Sequence, residues 1–307
     1  MKTKKLLLLI FLLGIIISTQ AQQRPVYSQY MFNALAINPA FAGSQDQFSA
    51  TALYRNQWVN LPGSPETYTL SANTAFAAKK VGLGFVLTND KIAIHDDLGL
   101  YLSYAYRIKF RGGALAFGLQ AGFNNLKSDY DKLVIKDIND PYLRGVRQTF
   151  SPNFGAGVFY STSSTYIGVS IPYLINSKIS STEEFISQAK SRRYYFINAG
   201  HVYKLTSDFK FKPSTLIRFQ EKAPLGVDIN LQLIYKDMIS IGNSYRSGDA
   251  DILNIEFQLN ENLRIGYAYE VVLSNLGGFN QGSHEIMINY RINIPGLQRS
   301  VECPSYF

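Results

Sequence analysis

Ser283-His284-Glu285 places a nucleophile, a base and an acid side by side near the end of the chain. A relay needs all three within hydrogen-bond reach on one side of the backbone. The flanking residues alternate apolar and polar, which predicts a strand, and neighbours in a strand point to opposite faces. The trio therefore cannot act as a relay. His95, His201 and His284 lie far apart, with no HExxH or paired-ligand spacing, and Cys303 is the single cysteine. That excludes a multi-cysteine metal site and an intramolecular disulfide. The glycine pairs at Gly112-Gly113 and Gly277-Gly278, and Gly155 with Gly157, fall in turns or strands. None opens a helix as a phosphate loop must. No acid/base set can be named, so the expectation is a protein that is not an enzyme and carries no cofactor and no metal.

These residues ride on a repeating hairpin. Leu253-Asn254-Ile255-Glu256-Phe257-Gln258-Leu259 alternates strictly, Asn260 to Asn262 make a compact turn, and Leu263 to Glu270 alternates again. Each arm has one apolar and one polar face. Turned inward, the apolar face builds a soluble sandwich or barrel. Turned outward, it meets lipid around a polar lumen.

Residues 1–21 read as a secretory signal peptide: Lys2, Lys4 and Lys5, then an apolar run from Leu6 to Ile17, then Thr19-Gln20-Ala21. The run is too short to cross a hydrocarbon core of about 30 Å as a helix. Removal of three lysines leaves 27 basic against 22 acidic residues, a net charge of +5 that gives no argument for nucleic acid. The expected product is one exported β domain.

Residues 22–46 are expected to form a periplasmic N-terminal segment. Ser28-Gln29-Tyr30-Met31-Phe32-Asn33 is followed by small residues and then by Asn38-Pro39-Ala40-Phe41-Ala42-Gly43. Asn-Pro and Gly43 mark turns, and the small residues permit close backbone contact. Two readings stand side by side here: a lead-in packed at a barrel rim, and a plug or docking segment.

The signal peptide with these two motifs resembles the start of the PorP/SprF family, outer-membrane barrels of the type IX secretion and gliding machinery. The resemblance runs the full length, through Tyr54-Arg55-Asn56-Gln57-Trp58 and a strand-rich body. It implies a non-enzymatic component that assists export or surface attachment of a secreted protein, such as an adhesin. The implied partners are outer-membrane lipid, periplasmic and outer-membrane secretion-machinery proteins, and a secreted surface protein as client. Tyr30, Met31, Phe32, Asn33, Asn38, Pro39, Ala40 and Gly43 carry the motif and are the candidates for docking or plugging.

The periodicity predicts an all-β transmembrane antiparallel barrel of about fourteen strands within 47–292. They fall near 47–58, 68–76, 80–89, 97–110, 113–124, 152–161 and 165–172, then 194–205, 209–220, 225–235, 238–246, 252–259, 263–270 and 283–292. Connections after even strands are short, as at Arg111-Gly112 and Lys236-Asp237, while those after odd strands are mostly long. That asymmetry predicts short periplasmic turns, long extracellular loops and both termini in the periplasm, with 293–307 as a periplasmic tail. Lys127 to Arg147 and Ser180 to Lys190 are the expected long loops, the second with a short helix.

Leu98, Leu100, Leu102, Tyr104, Tyr106, Ile108 and Phe110 share one face of the fourth strand, against Gly99, Tyr101, Ser103, Ala105, Arg107 and Lys109. Such tall apolar bands favour lipid outside, and Phe76, Phe110, Tyr160, Tyr203, Tyr235 and Tyr290 suit an aromatic girdle at the short-turn end. The inward charges mix both signs, which fits cross-strand pairing better than a selective pore. About 8 strands are filled by side chains and 16–18 leave a water channel, so fourteen should leave space that something fills. The alternative function is an outer-membrane channel for passive or selective transport of small solutes.

Overall fold

The computed structural model describes residues 26–45, 47–76, 80–133, 144–175, 193–221 and 223–294. The expected signal peptide, the helix within Ser180 to Lys190 and the tail from Pro295 lie outside them.

Fifteen strand segments follow one another: β1 (Phe48–Asn56), β2 (Glu66–Phe76), β3 (Val81–Ile92), β4 (His95–Phe110), β5 (Gly113–Asp129), β6 (Val146–Ser161), β7 (Thr165–Ile171), β8 (Tyr194–His201), β9 (Tyr203–Lys204), β10 (Phe209–Gln220), β11 (Gly226–Tyr235), β12 (Ile239–Arg246), β13 (Ala250–Gln258), β14 (Leu263–Val272) and β15 (Ser283–Ile292). β8 and β9 both pair with β10 in one register and form a single wall strand. Its ladder is interrupted opposite Pro213, which has no N–H to contribute. Every strand pairs antiparallel with its chain neighbour, and β15 returns to β1 from Phe48↔Ile292 to Asn56↔His284. The result is a closed fourteen-stranded antiparallel barrel. Closure leaves no unpaired edge, the condition for a sheet in hydrocarbon.

Burial alternates along each wall strand as the pattern predicts. Leu102 is 62% exposed and its neighbour Ser103 only 3%. Leu119, Ile197, Leu231, Leu253 and Ile288 are likewise exposed on the outer face. Gln232, Asn254 and Asn289 are buried on the inner one. Lipid therefore takes the place of a core on the outside. Phe110 and Tyr160 pack edge to face at 6.2 Å, and Phe209 and Tyr235 lie 4.9 Å apart, at the short-turn rim where a girdle belongs. Two tight turns there use left-handed backbone, at Arg111 and Gly112 (φ 46° and 75°) and at Lys236 and Asp237 (φ 50° and 57°). That handedness suits two-residue hairpins, whose twist must match the strands.

The strands reach further than their apolar alternation at the opposite end. β5 and β6 stay paired from Asn125↔Phe150 to Asp129↔Val146, so Lys127 and Arg147, expected in a loop, belong to the wall. These stretches carry polar residues on both faces, which erases the period while the backbone ladder continues. His95, also expected in a loop, is the first residue of β4. β1 stops earlier than expected, at Asn56, and Trp58 turns into left-handed backbone at φ 53°.

Candidate functional site

The inner wall encloses the N-terminal segment. Residues 27–35 and 37–45 are all buried, and their contacts run round the lumen from β1 to β15. Two apolar clusters seat the segment. Leu35, Ala40, Phe41 and Ala42 pack with Val86, Ala105, Ala116, Phe159 and Tyr166. Tyr30, Met31, Phe32 and Ile37 pack with Leu53, Leu216 and Met287. Phe41 meets Phe159 edge to face at 5.5 Å.

Backbone can come this close because the wall opposite lacks side chains. A Cβ at Gly118 would collide with Pro39 and Ala40, one at Gly82 with the Ala42 carbonyl, and one at Gly157 with the Asn38 amide. Asn38 is extended at the head of a 3-10 turn, Pro39–Phe41, where Pro39 supplies a fixed φ and needs no hydrogen bond. The Asn38 side chain accepts from Ala40 N at 2.9 Å and donates to the Val158 carbonyl at 3.1 Å, so one residue caps the turn and fastens it to β6. Ser170 Oγ donates to the Ile37 carbonyl at 2.6 Å, and Arg107 donates to the Ala42 carbonyl. Gly43 turns at φ 67° while its N–H donates to Asn73 Oδ1 at 2.9 Å. Ser71 Oγ donates to Asn33 Oδ1 at 2.9 Å.

The first motif is held by charge. Glu285 accepts the Ser28 N–H at 2.9 Å and the Gln29 N–H at 2.7 Å, the geometry of a carboxylate closing over two backbone donors. Arg55, opposite Glu285 in the β1–β15 register, lies 3.4 Å from it and 3.0 Å from Glu270. Arg55 also donates to Ser28 Oγ at 2.6 Å, which in turn donates to Glu270 at 3.0 Å. Glu270 continues to Arg246 at 2.9 Å, Arg246 to Asp228 at 3.1 Å, and Asp228 to Arg218 at 2.7 Å. Three arginines and three acids thus alternate along the inner wall between β10 and β1. Each buried charge has a partner of opposite sign, without which its desolvation would be prohibitive. Arg246 also reaches the Tyr27 carbonyl at 3.4 Å, and the Tyr27 hydroxyl shares a hydrogen bond of 2.9 Å with Thr69. Burial raises the Tyr30 phenol well above the usual tyrosine range, so it stays neutral.

All eight motif residues, Tyr30, Met31, Phe32, Asn33, Asn38, Pro39, Ala40 and Gly43, therefore meet inside the barrel. Ser28 and Gln29, which open the first motif but were not among the eight candidates, are the residues that meet the charged pair Glu285 and Arg55 or its neighbour Glu270. The signal was present in the paired inward charges at Arg55 and Glu285, but only strand register reveals that they adjoin the segment. The trio at 283–285 divides as strand geometry requires. Ser283 and Glu285 are buried on the inner face, while His284 shares a hydrogen bond of 2.7 Å with the Tyr267 hydroxyl. His95 contacts Ser128 and His201 contacts Thr165, so the histidines stay apart.

Among solved structures, the CymD monoaromatic hydrocarbon channel aligns with a TM-score of 0.55 at 9% identity, covering 88% of this chain and 94% of that one. The outer membrane protein Omp33 of Acinetobacter baumannii aligns at 0.49 and 7% identity, covering 81% of this chain and all of that one. The likeness to CymD, at such low identity, speaks for the outer-membrane barrel fold alone. No curated protein matches in sequence. Residues 19–290, however, match the model of the type IX secretion system membrane protein PorP/SprF, and the chain belongs to that family, a membrane component of type IX secretion.

Proposed function

We propose that the barrel acts as a docking component of the secretion machinery, with residues 27–45 as a built-in plug, and that it assists export or surface attachment of a secreted protein such as an adhesin. Short turns and both termini face the periplasm in this reading, where the machinery proteins meet the lumen segment. The observation that carries it is the clamp on Ser28 and Gln29 by Glu285, Glu270 and Arg55, all buried in the wall. A chain that needed an open pore would gain nothing from filling it with a hydrogen-bonded, close-packed segment of its own.

Deletion of residues 23–42 tests the reading, since β1 begins only at Phe48. The truncated barrel should still insert and show heat-modifiable migration, while client display at the cell surface fails and conductance in planar bilayers rises. High conductance of the intact chain, with client display unaffected by the deletion, would favour the small-solute channel instead.

A further inference from the structure

The short-turn rim carries its charges unevenly. Beyond β9 they come in pairs, Lys210 with Asp237 at 2.7 Å and Lys236 with Asp208 at 3.7 Å. From β2 to β8 the rim exposes Lys80, Lys109 and Arg111, with no Asp or Glu beside them among the described residues. None of these three cations forms an ion pair with a described acid. Lys80 leads into β3, and its carbonyl accepts the Arg107 N–H at 2.7 Å. Lys109 follows Arg107 by two residues on the inner face of β4, so it stands in the barrel mouth, away from lipid. Arg111 sits in the β4–β5 turn, where the Tyr160 hydroxyl donates to its carbonyl at 3.1 Å. Its guanidinium lies 5.2 Å from the centre of the Phe110 ring. The lumen segment ends beside this arc, where Arg107 donates to the Ala42 carbonyl and Ala42 lies against Gly82.

We propose that this arc docks an acidic protein surface on the short-turn side, placing the partner against the end of the lumen segment. The proposal rests on the docking reading above and names the charge that the partner carries. Cations of one sign grouped on a rim raise the local potential, speed encounter with an acidic patch and repel a basic one. A single exposed ion pair contributes little. Recognition therefore belongs to the group, and to its place beside Ala42 and Gly43. The rival occupant is an anionic lipid headgroup. Arg111 can serve one, because it leans on Phe110 of the girdle. Lys109 cannot, since it shares the inner face with Arg107. An acidic protein surface across the mouth engages both.

The test is fluorescence titration of the intact, detergent-solubilised barrel at low salt, in a Cys303→Ser background. One preparation carries a reporter dye on Ser163→Cys, in the exposed β6–β7 turn, and another on Asn260→Cys across the rim. An oligoglutamate peptide should change the first signal at lower concentration than the second, and raised salt should weaken the response. Lys80→Gln, Lys109→Gln and Arg111→Gln together should weaken binding about tenfold, the sum of three exposed pairs. Lys91→Gln, Lys127→Gln and Lys132→Gln take the same charge from the opposite rim and should leave binding unchanged. If the first triple variant does not migrate as folded, Lys80→Gln with Lys109→Gln should still weaken binding roughly fivefold. Soluble short-chain phosphatidylglycerol is titrated in parallel. Binding of this lipid in place of the peptide, lost with Arg111→Gln and kept with Lys109→Gln, assigns the arc to headgroups and overturns the proposal. So does parental peptide binding by the folded triple or double variant, or equal response of the two dyes. A barrel lacking residues 23–42 keeps all three cations. If it still binds the peptide while client display is unaffected, the docking reading fails and the charged arc stands.

Discussion

Glu285 accepts the backbone N–H of Gln29 at 2.7 Å, so a residue of the last wall strand holds one that lies 256 positions earlier in the chain. The contact is made by a carboxylate whose in-register neighbour is Arg55. Wall assembly and seating of the segment are therefore coupled: the clamp exists only once β15 has closed onto β1.

Glu285→Ala removes the acceptor of two backbone donors and leaves Arg55 with Glu270 as its remaining acidic partner. Breaking one side of a buried pair costs about 3–5 kcal/mol. The variant should unfold at clearly lower denaturant than the parent, and chymotrypsin should gain access to Tyr30 and Phe32. Parental stability and parental resistance to cleavage would show that the clamp does not hold the segment.

Gly118→Val acts on the segment from the wall side. The added carbons would occupy the space of Pro39 and Ala40, while β5 itself tolerates a β-branched residue. Conductance should rise and client display should fall in a barrel that still migrates as folded. Gly43→Val should act in the same direction. It adds strain of roughly 1–3 kcal/mol at a left-handed position, and its Cβ would lie 2.7 Å from the Thr74 carbonyl.

The outer face is testable by depth. Leu102→Arg, near the middle of β4, should cost about 2–4 kcal/mol in vesicle-based urea unfolding. Phe110→Arg, at the end of the same strand and the same face, should cost about 0–1 kcal/mol. Equal losses at both sites would contradict the assignment of Phe110 to the girdle.

Orientation is tested by labelling. In a Cys303→Ser background, cysteine at Asp131 should react with an impermeant thiol reagent on intact cells. Cysteine at Asp208 or Asn260, on the short turns, should react only after the outer membrane is opened. The reverse pattern would turn the barrel over and place both termini outside.

Alternation along single strands was enough to read most of the wall. Leu98 to Phe110 announces its outer face because a period of two needs no tertiary information, and the length of each connection announces which rim it occupies. Where polar residues fill both faces, as from Asn125 to Asp129, the period vanishes and the ladder runs on unseen. The interruption at Val202 is set by a proline on the neighbouring strand, information no single strand contains.

The segment at 27–45 marks the boundary between the two kinds of information. Its motifs could be recognised, and its small residues and turns could be read as fit for close contact. Its place was decided by the tertiary structure, because glycines on β3, β5 and β6 align into a backbone-accepting surface only when those strands are in register. The same holds for Arg55, Glu270 and Glu285. As a list they are mixed charges that any barrel wall could carry. Pairing of β1 with β15 and β14 with β15 brings them together, and a buried carboxylate then takes the nearest unsatisfied backbone donors, those of Ser28 and Gln29.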